Sequence, residues 1–117
     1  MVAHAELTEA ELDRLFRALA DSTRRDIVSR LMSRDSTSVS ALASRYDMSF
    51  AAVQKHVAAL EAAGLVSKQS QGRERIVRGN PMQLAHARTL LSQLEQRWFA
   101  RFSQVDAVLT ERQSPKE

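Results

Sequence analysis

At Gly64 the spacing of apolar residues along this chain of 117 residues changes from three and four to two. This change constrains the fold more than any other feature, because the first spacing asks for helices burying one stripe and the second for strands burying one face. Before it, Val53, Val57 and Leu60 share one side of a segment that Ser49 can cap and Gly64 can stop in a left-handed conformation. The pattern predicts a helix over 50–63. After it, β-branched Val66, Ile76 and Val77 flank Gln71-Gly72-Arg73, which predicts a hairpin within 65–79.

The remaining helices follow from the same reading. Thr8 and Glu11 make a capping pair, Leu7 can staple to Leu12, and Leu12, Leu15, Phe16 and Leu19 recur at three and four. A first helix therefore runs to about residue 19. Asp21 caps a second, whose stripe of Ile27, Val28 and Leu31 lasts to about residue 32, where the polar run 33–37 breaks it. Ser38 caps a short third helix with Leu42, Ala43 and Tyr46 on its apolar side, ending at Asp47-Met48, and the turn at Asp47 falls where a left-handed residue is expected. Beyond Asn80-Pro81, residues Leu84, Ala87, Leu91, Leu94, Trp98, Phe102, Val105 and Leu109 trace one long amphipathic helix, with or without a break. Residues 113–117 are polar and predict a disordered tail. The expected fold is mostly α with a small β-hairpin: a winged helix-turn-helix of about five helices and a two-stranded wing, forming one domain over 1–112.

Composition then removes whole classes of function. The chain has no cysteine, which excludes disulfides, thiolate metal sites and cysteine nucleophiles. No basic-flanked apolar leader opens it, and no stretch nears the ~18 apolar residues of a membrane span, so it reads as soluble and cytoplasmic. His4, His56 and His86 are scattered, and neither paired carboxylates nor a glycine-rich phosphate loop accompanies them, so no enzyme is expected. The charges are unevenly placed. Residues 38–79 hold six basic side chains (Arg45, Lys55, Lys68, Arg73, Arg75, Arg78) against three acidic ones (Asp47, Glu61, Glu74), while the rest of the chain balances. A basic middle suits a polyanionic partner.

Helical spacing exposes Phe50, Ala51, Gln54, Lys55 and Ala58 on the helix after the turn. Gln54 can pair bidentately with adenine, Lys55 can reach guanine or phosphate, and Phe50 and Ala51 can touch thymine methyls. Ser49 at the cap belongs to the same candidate surface, as does His56, which can face DNA or pack beneath its helix. Ser38 and Ser40 either donate to phosphate or simply cap. In the hairpin, Lys68, Arg73 and Arg75 can lie on the DNA backbone, and Arg73 at the tip can enter a narrow minor groove. The blander alternatives are a polar helix face and a solvated hairpin tip.

Three stretches make the pattern specific: Ala18-Leu19-Ala20-Asp21-Ser22-Thr23-Arg24-Arg25-Asp26-Ile27, then Ala41-Leu42-Ala43, then Met48-Ser49-Phe50-Ala51-Ala52-Val53-Gln54-Lys55-His56-Val57-Ala58-Ala59-Leu60-Glu61-Ala62-Ala63-Gly64-Leu65-Val66. In this order and spacing, over about residues 12–102, they resemble the ArsR family of winged-helix repressors. The resemblance implies a homodimer built largely from the first and last helices, which binds an imperfect palindrome in double-stranded DNA and represses its own operon. Leu12 and Phe16 of the first helix and Leu91, Leu94, Trp98 and Phe102 of the last are the candidate dimer residues. The bulky stripe on the last helix either awaits a second copy or completes the core of a single chain.

The sequence departs from the family pattern at Ser22, where proline is usual, at Asp47, where glycine is common, and at Phe50, where a polar residue often sits. The last departure points to a different operator. Metal-sensing relatives carry ligands that this chain lacks: Thr37-Ser38-Val39-Ser40-Ala41-Leu42 has no cysteine pair, and His86 stands among Leu84, Arg97 and Ala100. A divalent ion needs three or four donors in register, so neither metal nor cofactor is expected. A small-molecule or protein effector stays open, and a protein-interaction module that never touches DNA is the other reading.

Overall fold

Each of the first four helices begins where a side-chain oxygen takes a free amide of the opening turn. In the computed structural model, which describes residues 6–34 and 36–113, Thr8 accepts from the Glu11 amide at 3.1 Å while the Glu11 carboxylate accepts from the Thr8 amide at 2.8 Å. This reciprocal pair opens α1 (Glu9–Leu19). Asp21, Ser38 and Ser49 accept from the Arg24, Ala41 and Ala52 amides at 3.1, 3.0 and 3.1 Å, opening α2 (Ser22–Ser33), α3 (Val39–Ala43) and α4 (Phe50–Ala62). Gly64, at φ +77°, stops α4: its own amide donates to Glu61 and that of Leu65 to Leu60, both at 2.9 Å, the paired bonds of a Schellman ending.

The change of period becomes an antiparallel sheet. Strands β2 (Val66–Gln71) and β3 (Glu74–Gly79) pair from Val66 with Gly79 to Gln71 with Glu74, leaving Gly72 and Arg73 as the turn. Gly72 has φ +63° and Arg73 does not share that sign, the pattern of a type II′ hairpin turn. A third strand lies on the far side of β3. Thr37 and Ser38 form β1 (Thr37–Ser38) and pair with Val77 and Ile76, so the strand order is β1-β3-β2 and the two-stranded hairpin expected as the wing gains a third, unexpected strand. Two residues are too few for an alternation to be read. Ser38 thus ends a strand and caps α3 at once.

Side chains of α1 to α4 and the sheet converge on one core, in which Leu15, Ile27, Val53, Val57, Leu60, Leu65 and Val77 are fully buried. Each such side chain contributes about 1.5–3 kcal/mol of transfer free energy. α5 (Pro81–Gln113) is unbroken and starts on proline, whose missing amide costs a first turn nothing. The chain divides into two compact units between Ala87 and Arg88. The first holds every element through the opening of α5; the second is the rest of that helix.

Several expected details differ. α3 stops at Ala43 rather than near residue 47, and the chain then turns through Ser44 to Tyr46, whose amides donate to Ser40, Leu42 and Ala43. Because this longer connection spreads the reversal over several residues, no left-handed residue is needed at Asp47, and none of the described non-glycine residues has positive φ. Gln113 belongs to α5; the rest of the expected tail and His4 lie outside the described residues. No helix among the described residues is long and apolar enough to cross a membrane.

Candidate nucleic-acid interface

Burial fixes which side of α4 is available. Val39 and Leu42 seat α3, and Val53, Val57 and Leu60 seat α4, so that Phe50, Ala51, Gln54, Lys55 and Ala58 remain exposed on the opposite side of α4. Phe50 keeps 46% of its surface exposed, a large apolar ring at the helix start. Because Ser49 takes only the Ala52 amide, the amides of Phe50 and Ala51 stay available at the positive end of a helix of 13 residues. Gln54 and Lys55 follow one turn later. The face therefore presents amides, a carboxamide and an ammonium together, which suits phosphates and base edges.

His56 does not join this face. It is half-buried, and the Arg24 guanidinium donates from Nε to its Nδ1 at 3.2 Å. An arginine can only donate, so Nδ1 accepts and the ring proton sits on Nε2. Asp21 Oδ1, 4.0 Å from the same nitrogen, is beyond hydrogen-bond reach. The candidate DNA contact is thus a brace between α4 and the start of α2. Asp21 itself is held below the usual carboxylate range, first by the Arg24 amide it caps.

The hairpin sorts its basic residues by face. Register puts Val66, Lys68, Ser70, Arg75 and Val77 on one side, where Val66 and Val77 are buried, and Gln69, Ile76 and Arg78 on the other. Lys68 is drawn to α4, its Nζ lying 3.7 Å from Glu61 Oε1, and is not at the tip. Arg73 in the turn and Arg75 beside it are exposed, as is Arg78, which sequence reasoning counted in the basic segment but did not single out. Ser38 and Ser49 are occupied as caps although their hydroxyl protons are free to donate, and Ser40 is exposed.

Of the candidate dimer residues, Leu12 and Phe16 are half-buried, Phe16 against the core of its own unit. Leu91, Leu94, Trp98 and Phe102, together with Phe99, are each more than half exposed, and the Trp98 and Phe102 rings lie 5.4 Å apart and tilted. His86 is half-buried, and among the described residues no group of three or more His, Cys, Asp or Glu could hold a metal ion.

One cluster escaped the sequence. Asp26 accepts from the Tyr46 hydroxyl at 2.5 Å and from Arg30 Nε at 2.8 Å, while the Arg30 guanidinium lies 5.4 Å from the Tyr46 ring centroid. The cluster ties the turn after α3 to α2. Burial, and then the bond to Asp26, pushes the Tyr46 phenol up to about 12. Only the i,i+4 spacing of Asp26 and Arg30 hinted at it.

Comparison with known proteins places this geometry. A helix-turn-helix domain family matches residues 19–69. The HTH-type transcriptional regulator Rv2034 of Mycobacterium tuberculosis is 37% identical over 93 residues, covering 80% of this chain and 86% of that protein. Among solved structures, an ArsR-like transcriptional regulator from Rhodococcus sp. RHA1 superposes with a TM-score of 0.72 at 38% identity, covering 85% of this chain and 92% of the other. The homodimeric winged helix-turn-helix DNA-binding domain Mb0332 from Mycobacterium bovis shares the fold, with a TM-score of 0.60 at 22% identity over 82% of this chain and 91% of that one.

Proposed function

The chain belongs to the ArsR family of winged helix-turn-helix transcriptional regulators, and from that premise we propose that it is a homodimeric repressor whose two copies each read half of a palindromic operator. The observation that carries the reading is the exposed face of α4, where Gln54 and Lys55 stand behind two available helix-start amides, in a chain whose hairpin tip carries Arg73 and Arg75. Gln54 reads a base, Lys55 a base or phosphate, and the wing arginines grip the backbone. Phe50 offers its ring to thymine methyls, which would set this operator apart from those read by a polar residue.

Dimerisation is supported by the stripe along the middle of α5. Five large apolar side chains there stay more than half exposed in one chain, and covering apolar surface is worth about 25 cal/mol per Å². The related Mycobacterium bovis domain is itself homodimeric. The repressor works without catalysis and without the cysteine or histidine metal sites of metal-sensing relatives. Calorimetric titration with zinc or cadmium should give no stoichiometric uptake; tight uptake would overturn the metal-independent part.

The deciding experiment is binding to duplexes from the region upstream of its own coding sequence, at several salt concentrations. Saturable, salt-dependent affinity that exceeds that for a scrambled duplex is expected. A purified dimer with no affinity for any duplex would leave the protein-interaction module as the better reading.

A further inference from the structure

A second basic feature, unused by the reading face, lies at the end of α2. Arg30, Arg34 and Arg45 line an open cleft of about 270 Å³, together with Thr37, Ala41 and Leu42. The cleft draws on three elements: Arg30 and Arg34 sit one turn apart at the close of α2, Thr37 belongs to β1, and Ala41 and Leu42 belong to α3. None of the residues placed on the α4 face or the hairpin tip contributes to it.

Its charge is compensated only in part among the described residues. Asp26 pairs with Arg30, but among the described residues neither Arg34 nor Arg45 takes part in an ion pair. Three guanidiniums face the Asp26 carboxylate and about half a negative charge at the end of α2, so among the described residues, which leave out Asp35 beside Arg34 in the chain, the cleft keeps a positive excess. The three guanidiniums also differ in freedom. Arg30 is fixed through Nε by Asp26 and Tyr46, and its Nη groups have no hydrogen-bond partner among the described residues, so it is an already oriented donor. Arg34 and Arg45 are exposed and can close on a ligand. Planar guanidinium forks match the paired oxygens of carboxylates and phosphates. Ala41 keeps one wall low, and Leu42 gives it an apolar surface. The volume lies just below the usual range for drug-sized ligands and suits a molecule of about one ring.

We propose that this cleft binds a small oxyanionic ligand, a phosphate or carboxylate carried on a short apolar body, held by Arg30, Arg34 and Arg45 with the body against Ala41 and Leu42. The assignment does not depend on DNA binding, and its test uses no DNA in its first arm. The full chain is titrated calorimetrically with phenyl phosphate and with inorganic phosphate at constant ionic strength, with chloride as the control. Saturable uptake of one phenyl phosphate per chain is expected. The double variant Arg34→Gln with Arg45→Gln should bind at least tenfold more weakly, while Arg73→Gln, which removes one charge at the hairpin tip, should bind like the parent.

Ala41→Phe keeps every charge but fills the apolar wall, and should weaken phenyl phosphate far more than inorganic phosphate. Circular dichroism and thermal melts confirm that each variant is folded. Uptake that does not saturate, or that falls equally in the Arg73→Gln variant, would overturn the proposal. A double variant that loses duplex affinity while the parent takes up no phenyl phosphate would also overturn it, and would make the arginines DNA-backbone contacts instead.

Discussion

At the scale of single residues, helical period is enough to bring Gln54 and Lys55 to the surface, and the structure leaves both exposed. Gln54→Ala should relax preference for one operator base, costing about 1–3 kcal/mol at that position, whereas Arg73→Ala should weaken all duplexes alike and flatten the salt slope by roughly one unit. Competition binding with single-base operator variants separates the two, and identical profiles would remove Gln54 from the reading. His56 was not legible in the same way. Its partner Arg24 lies 32 positions earlier, and no local pattern reports a contact made only when α2 packs on α4. Tyr46 was equally hidden, yet it gives the cleanest measurement, because it is the one tyrosine in the chain. Its phenol is raised from 10.0 to about 12, so burial and the bond to Asp26 favour the neutral form in the folded chain. That stability is complete below pH 10.0 and declines as pH rises toward about 12, where the folded chain ionises as well. An absorbance titration of the folded protein should show a single phenol midpoint near 12, and a midpoint near 10 would mean that the cluster is not formed.

At the scale of elements, the boundaries readable in advance were those written in side-chain chemistry. Thr8, Asp21, Ser38 and Ser49 all cap as their types and positions suggest, and Gly64 stops α4. What stayed hidden was made by long-range pairing: β1 exists only because β3 lies beside it, and α3 ends early because the following turn is anchored through Tyr46 to α2. The two glycines with positive φ offer a paired test. Gly72, at φ +63°, has open space around an added Cβ, so Gly72→Ala should cost only the strained backbone of its turn position, about 1–3 kcal/mol. At Gly64 a Cβ would lie 2.8 Å from Gln83 Nε2, the group that donates to the Ala63 carbonyl at 2.9 Å. Gly64→Ala should therefore add roughly 1 kcal/mol for the displaced bond. Urea unfolding of both variants measures each cost, and a Gly64→Ala cost no larger than the about 1–2 kcal/mol of a left-handed residue alone would show that the Gln83 contact is dispensable.

At the scale of the whole molecule, the one tryptophan reports assembly. Trp98 is 62% exposed in a single chain, so a dimer that covers it should emit at shorter wavelength and shift to the red on dilution. A spectrum independent of concentration, with light scattering giving a monomer throughout, would contradict dimerisation through α5. Ser38 carries a different kind of consequence. It pairs with Ile76 in the sheet while its hydroxyl caps α3, so no spare residue separates the sheet from the first helix of the helix-turn-helix. A change in the angle between them would have to break either a strand pair or a cap. In the proposed complex each copy would therefore act as a calliper with a soldered joint, spanning a constant length of duplex between hairpin tip and reading helix. A base pair inserted inside a half-site should accordingly abolish binding in a gel-shift series, while one inserted between half-sites meets whatever give the contact between copies allows.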